Sequence, residues 1–198
     1  MREMMTGLRP ETFENLQLGA GLLLTGFAWR GSESMDALRQ RLAAFTAAGK
    51  GLLGAARSGQ FRCVPRMRAA EGTARTPYMG SRLLDGWDVR MSAALIEITP
   101  ESFARALGGA AVERPEPNMT VVRPRNDLAE EDYLPSLCWV GDTGRGGCLI
   151  EMENVLSLAG AAFAFRERGE GVLPVTFAAH EGSPDAWGEP PCRIVFFD

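Results

Sequence analysis

Hydrophobic residues along this chain recur mostly at every second position, and only two segments carry the spacing of a helix. The clearest alternation runs through Trp87, Val89, Met91, Ala93 and Leu95, interleaved with Asp88, Arg90 and Ser92. A period of two is that of a strand buried on one face. Ile96 and Ile98 then fall on the other face, which predicts either a bulge or a strand end covered on both sides. Leu16 to Trp29 reads as a glycine-interrupted strand. Leu52–Ala56 and Gln60–Pro65 read as two short strands, with Phe61 and Cys63 on one face. Met35, Leu38, Leu42 and Phe45 instead share one face of a helix, capped by Ser32 or Ser34 and ended by Gly49. Thr99-Pro100-Glu101 starts a second helix with a capping hydroxyl, a first-turn proline and an acid at the positive end of the dipole. Gly108-Gly109 stops it.

Further along, Glu113 to Asn118 predicts a proline-containing loop, Met119–Arg123 an extended segment, and Asp127 to Asp132 an acidic loop. Leu134–Val140 and Cys148–Val155 read as strands joined by the glycine-rich turn GDTGRGG. Ala161–Phe165 and Val172–Ala179 read as a hairpin around RERGEG, and Pro191–Phe197 as a last strand. Some eight to ten strands, two helices and no βαβ alternation predict a mainly β (α+β) protein. The expected form is an antiparallel β-sandwich or barrel with a flanking α-helix and one long inter-strand loop. At 198 residues and 45% hydrophobic, the chain can bury a core as one domain over 1–198. Residues 1–15 are polar and read as an N-terminal arm.

The long loop spans residues 66–86 and lies between strands good enough to build a sheet. Unstructured loops of more than about 12–15 residues are uncommon in compact domains and are usually functional or disordered. Charge sharpens this expectation. From Arg57 to Arg90 there are seven arginines against three acids, a local +4 in a chain of net −4, which leaves −8 for the rest. Chance scatter of surface charge gives the same numbers. The sharper reading is an arm that docks on an acidic surface of another copy, through Arg66, Arg68, Glu71, Arg75, Tyr78 and Arg82. The overall acidity (pI about 5.2) excludes nucleic-acid binding of the basic-patch type.

The four cysteines, Cys63, Cys138, Cys148 and Cys192, form no C-x-x-C pair and read as reduced, mostly buried thiols of a cytosolic protein. Cys138 and Cys148 are expected to be able to face each other across a hairpin. LGAGLLLTGFAW is too short for a membrane span, and its upstream flank lacks the basic start of a secretion signal. Candidate chemistry is sparse. His180 is the sole histidine, no G-x-S-x-G occurs, and AAGKG lacks the leading glycine and following hydroxyl of a phosphate loop. GDTGRGG reads as a hairpin turn. Asp127, Glu130, Glu131 and Asp132 match no calcium-loop spacing. No catalytic, cofactor or metal site is expected, and the chain reads as a non-enzyme. The competing class is a soluble β-barrel enzyme or small-ligand-binding protein using the glycine-rich turn and His180.

Several segments, in order, resemble the tail tube (major tail) proteins of tailed bacteriophages and prophages. They are LQLGAGLLL, GLLGAARSGQFRCVP, GWDVRMSAALIEITPESFARALGGA, EDYLPSLCWVGDT, RERGEGVLPVTFAAHE and the terminal RIVFFD. The resemblance implies a β-sandwich with a flanking helix that closes into hexameric rings, which stack into a tube in the virion tail. Subunits would be made in the bacterial host cytoplasm. It further implies tape-measure, baseplate or tail-tip and tail-terminator proteins as partners, a sheath in some tails, DNA passing through without specific binding, and no membrane. The long loop would reach to a neighbouring subunit or ring.

Overall fold

The computed structural model describes residues 17–49, 51–70, 78–143, 146–163, 167, 171–183 and 190–197. The strands are β1 (Gln17–Thr25), β2 (Ala56–Ala69), β3 (Arg82–Leu95), β4 (Ala110–Glu116), β5 (Met119–Pro124), β6 (Leu134–Thr143), β7 (Gly147–Ser157), β8 (Leu173–Ala178) and β9 (Cys192–Phe197). The helices are α1 (Met35–Ala47) and α2 (Pro100–Leu107). The protein is mainly β with antiparallel sheets and two helices, as the sequence predicts. The main sheet runs β1-β6-β7-β8-β3-β2, with β9 also on β7, while β4 and β5 form a separate hairpin.

β7 is the hub. It pairs with β6 along one edge and, along the other, with β9 through Gly147–Met152 and then with β8 at Leu156 and Ser157. Between those two partners sits Asn154 at φ 49, a left-handed conformation that asparagine tolerates better than most residues. Its amide donates to the His180 carbonyl at 3.2 Å, and its own carbonyl lies 3.1 Å from His180 Nδ1. The handover of β7 between neighbours is therefore fixed by side-chain hydrogen bonds. At the far side of the core, Leu53 N–H donates to the Leu23 carbonyl and Thr25 N–H to that of Gly51. The segment leading into β2 is thereby tied to β1, and the two ends of the sheet meet.

The central core joins Leu23, Leu137 and Met152 to Val89, Met91, Leu95, Val175 and Phe177. On the other face of β1, β6 and β7, Leu24, Cys138, Val140 and Leu149 pack with Leu38, Leu42 and Phe45 of α1. Burial on both faces explains why Leu23–Leu24 and Leu137–Val140 read as runs without alternation, although Leu22 at the start of the first run is exposed. β3 shows the expected alternation, with Val89, Met91, Ala93 and Leu95 all buried. It stops at Leu95, and Ile96 and Ile98 are exposed beyond it. Both helix caps form. Ser34 accepts from the Ala37 N–H, and Thr99 and Ser102 complete a reciprocal capping box.

The bulge or doubly covered end expected at Ile96 and Ile98 is thus not found, and other expectations change too. Of the two short strands expected before the loop, Gln60–Pro65 falls within one longer strand, β2, whose ladder with β3 carries it through Gly59 and Pro65, while residues 53–55 are not strand and Leu52 makes only an isolated bridge to Leu24. As an edge strand, β2 accommodates a proline with no N–H to give. Glu113–Asn118 is mostly strand β4, and its ladder shifts register between Glu113 and Glu116 around Pro115. Ala161–Phe163 is not a strand. Residues 164–166 and 168–170 lie outside the described residues, and β8 takes β3 and β7 as its partners. Cys138 and Cys148 do not face each other, since Cys138 stands opposite Glu151 and Cys148 opposite Gly141. The N-terminal arm of residues 1–15 lies outside the described residues.

Candidate functional site

β3 has β8 as a second neighbour only over Arg90–Leu95. From Val89 outward to Arg82 it pairs with β2 alone, through Cys63–Ala69. Seven residues on the β2 side at about 3.3 Å each give a two-stranded ribbon reaching roughly 20 Å. Its outer part is exposed on both faces: Arg66–Ala69 on β2 and Arg82–Asp85 on β3. The expected loop of 66–86 is thus largely the outer end of a β-hairpin. Arg66 and Arg68 lie on β2, Arg82 begins β3, and Tyr78 is exposed in the connection. Glu71 and Arg75 lie outside the described residues.

The ribbon is amphipathic. On one face the core pattern continues outward through Cys63, Pro65 and Met67 of β2 opposite Val89, Trp87 and Leu84 of β3. Strict alternation from Trp87 would place Asp85 on that face. Instead the register shifts between Arg66 and Met67, beside Gly86, and Leu84 comes opposite Met67. Gly86 has φ 146, a conformation open to glycine and strained for other residues. The bulge therefore keeps an apolar side chain on the apolar face beyond the core. Met67 and Leu84 are 54% and 55% exposed there, and Met79 in the connection is 99% exposed.

The opposite face carries charge. Arg62, Arg66 and Arg68 share this face, with Val64 between the first two, and Arg62 stands directly across from Arg90, a repulsive placement. Acids on β3 relieve it. Arg90 Nε donates to Asp88 at 2.7 Å and Arg68 Nε to Asp85 at 2.8 Å. The Arg90 hydrogen bond, against a smaller opposing push from burial, holds the Asp88 carboxyl below its usual range. The charges of Arg90, Arg66 and Arg62 add to that effect. The face remains net positive.

Other candidate chemistry is dispersed or satisfied. His180 sits edge-on to Tyr133 with ring centroids 5.2 Å apart, and its N–H donates to the Glu153 carbonyl. The glycine-rich turn ends at Gly147, the other end of β7. Six residues of strand, about 20 Å, separate the two parts of the ligand-site alternative. Asp127, Glu131 and Asp132 gather around Arg125, with Asp132 in direct contact and also accepting the Ala129 N–H at 2.8 Å. No group of three or more metal-binding side chains occurs among the described residues, and no helix among them is long and apolar enough to cross a membrane.

Sequence reasoning missed two features. A cleft of about 770 Å³ opens between the β1-β6-β7-β9 portion and β2-β3, lined by Leu23, Phe61, Met91, Trp139, Ile150 and Phe196. Phe196 falls at every second residue from Ile194, a hint of a second apolar face on β9. Glu151 is 97% hidden within β7 (3% exposed), a position unreadable from its neighbours Ile150 and Met152. Burial raises its carboxyl above the ordinary range, opposed by the Arg193 charge and a hydrogen bond from the Trp29 backbone. Compared with known proteins, the chain matches no family model and no curated relative.

Proposed function

We propose that this chain is a structural subunit that assembles with copies of itself, and that the β2–β3 ribbon is its docking arm. One observation carries the reading: the apolar face of the hairpin runs on past the edge of the core, with Met67 and Leu84 exposed on it. An isolated two-stranded ribbon is marginally stable in water, and contiguous exposed apolar surface marks contact sites. Arginine is enriched in such contacts because its planar fork pairs with carboxylates. A +4 segment on a −8 remainder makes a second copy the complementary partner. An arm that grips a different surface of the next copy is a heterologous contact, which generates rings or open stacks.

The resemblance to bacteriophage tail tube proteins gives this assembly its form: hexameric rings stacked into a tube, non-enzymatic, with DNA and a tape-measure protein inside. Replacing Arg66, Arg68, Arg75 and Arg82 by Glu tests the arm. Concentrated wild-type protein is expected to show rings or tubes by negative-stain microscopy, and the variant is expected to lose them while keeping the wild-type circular dichroism and melting curve. Tubes of normal length from this variant would remove the docking role of the ribbon.

A further inference from the structure

Cys63 and Cys192 are 129 residues apart in sequence, yet their sulfurs lie 4.0 Å from each other. Both thiols are free and half-buried. Cys63 stands on the apolar face of β2 where the ribbon leaves the body, opposite Val89. Cys192 opens β9, directly after Pro190-Pro191, opposite Met152 of β7. Both border the central core. The other two thiols are placed differently. Cys138 donates to the Phe27 carbonyl at 2.8 Å, and Cys148 lines the cleft.

A disulfide needs its sulfurs at about 2.05 Å, so the pair must close by roughly 2 Å from van der Waals contact. Cys192 is well placed to supply that movement, as the first residue of a strand held by one neighbour, β7. We propose that Cys63 and Cys192 form a redox-responsive dithiol that closes to a disulfide in an oxidising medium and ties the base of the ribbon to the last strand. With a small disulfide such as oxidised glutathione, one protein thiolate attacks a glutathione sulfur and expels glutathione thiolate, leaving a mixed disulfide. The second protein thiolate then attacks the protein-side sulfur and expels the other glutathione. Two protein thiols are oxidised by two electrons, one small disulfide is reduced to two thiols, and the two protons move to the departing glutathiones.

In either order of attack, Cys192 acts once as a nucleophile. Burial pushes its thiol above the ordinary range, so little thiolate exists near neutrality. Closure is therefore slow at pH 7 and accelerates with rising pH, by up to about tenfold per unit while that ionisation limits the rate. A slow dithiol of this kind stays reduced through brief exposure and locks on prolonged exposure.

The test uses the full chain, incubated with oxidised glutathione at pH 7 and pH 9, quenched in acid and alkylated under denaturing conditions. Intact mass is expected to show two of the four thiols lost with a 2 Da decrease, sooner at pH 9. Peptide mapping should join Cys63 to Cys192, and dithiothreitol should reverse the bond. The oxidised protein should melt several degrees higher than the reduced form, a gain absent in Cys63→Ser and Cys192→Ser. Four thiols still free, glutathione adducts alone, or a bridge between any other pair would overturn the proposal. The mapping is read on wild-type protein, so it stands even if a variant folds poorly, and it is independent of whether the chain forms tubes.

Discussion

The two halves of the β2–β3 hairpin share one backbone ladder but differ in what covers them. In the inner half, Val89, Met91, Ala93 and Leu95 are buried against β7, β8 and α2 residues of the central core. In the outer half the same apolar face continues through half-buried Pro65 to Met67 and Leu84, both exposed. Charge follows the same division. In the body, Arg41 pairs with Glu33 and lies 4.1 Å over the Phe27 ring, with both charged groups mostly hidden. On the ribbon, Arg68 and Asp85 pair in the open. One sequence pattern is thus buried in the core at its inner end and exposed at its outer end.

The sharpest way to break this comparison is to truncate an apolar side chain in each half. Leu95→Ala, which empties a fully buried site, should cost about 3–5 kcal/mol. Leu84→Ser on the ribbon should change stability by no more than about 0.5 kcal/mol. Urea unfolding of the two variants measures the contrast, and equal losses would show that the outer half is folded into the body.

A second contrast uses the charged pairs. Arg41→Ala strands the Glu33 carboxylate in a mostly buried site and should cost about 3 kcal/mol, whereas Arg68→Ala should cost less than about 1 kcal/mol. The sign with pH follows from Glu33. Burial alone would raise its carboxyl, but the Arg41 hydrogen bond, the Arg30 backbone and both arginine charges bring it below the ordinary 4.5. Its stabilisation is fully present above pH 4.5 and is lost as pH falls through the lower folded value. The gap between wild type and Arg41→Ala should narrow in that acid window, as thermal melts across pH would reveal.

Glu151 gives the smallest effect and the opposite slope. Burial raises its carboxyl above 4.5, partly offset by Arg193, so the unfolded chain loses its proton first as pH rises. Wild type therefore loses stability as pH rises from 4.5 through the raised folded value. Glu151→Gln should remove that slope, matching wild type below pH 4.5 and exceeding it slightly near neutrality. A variant less stable at pH 7 would show that the Arg193 attraction outweighs burial.

What was legible in the sequence was local. The Ser32-or-Ser34 cap, the Thr99 cap and the Trp87–Leu95 alternation each depend on residues a few positions apart, and the structure adds only that Ser34 is the first cap and that Ser102 returns the bond to Thr99. The readings that changed depend on distant partners. Gly59 and Pro65 look like breaks in a strand until the ladder with β3 holds β2 straight through them. Pro115 and Pro117 read as a loop because β4 gains its strand conformation from β5. Asp85 hides the continuation of the apolar face, because the bulge beside Gly86 that skips it is a property of the paired strands. The arginine-rich character of residues 57–90 was visible at once, while the ribbon that displays it was not.

By itself, the sequence determined the class of elements, the faces they bury and the charge split between one arm and the rest. Those follow from side-chain period, capping groups and composition, which act within a few residues. Only the tertiary structure decided that β7 passes from β9 to β8 at Asn154, that β3 outruns β8 to leave a two-stranded ribbon, and that Cys63 meets Cys192. Strand pairing joins residues far apart in the chain, and backbone hydrogen bonds are chemically alike at every position. The choice among partners therefore rests on how the whole core packs, which no local pattern records.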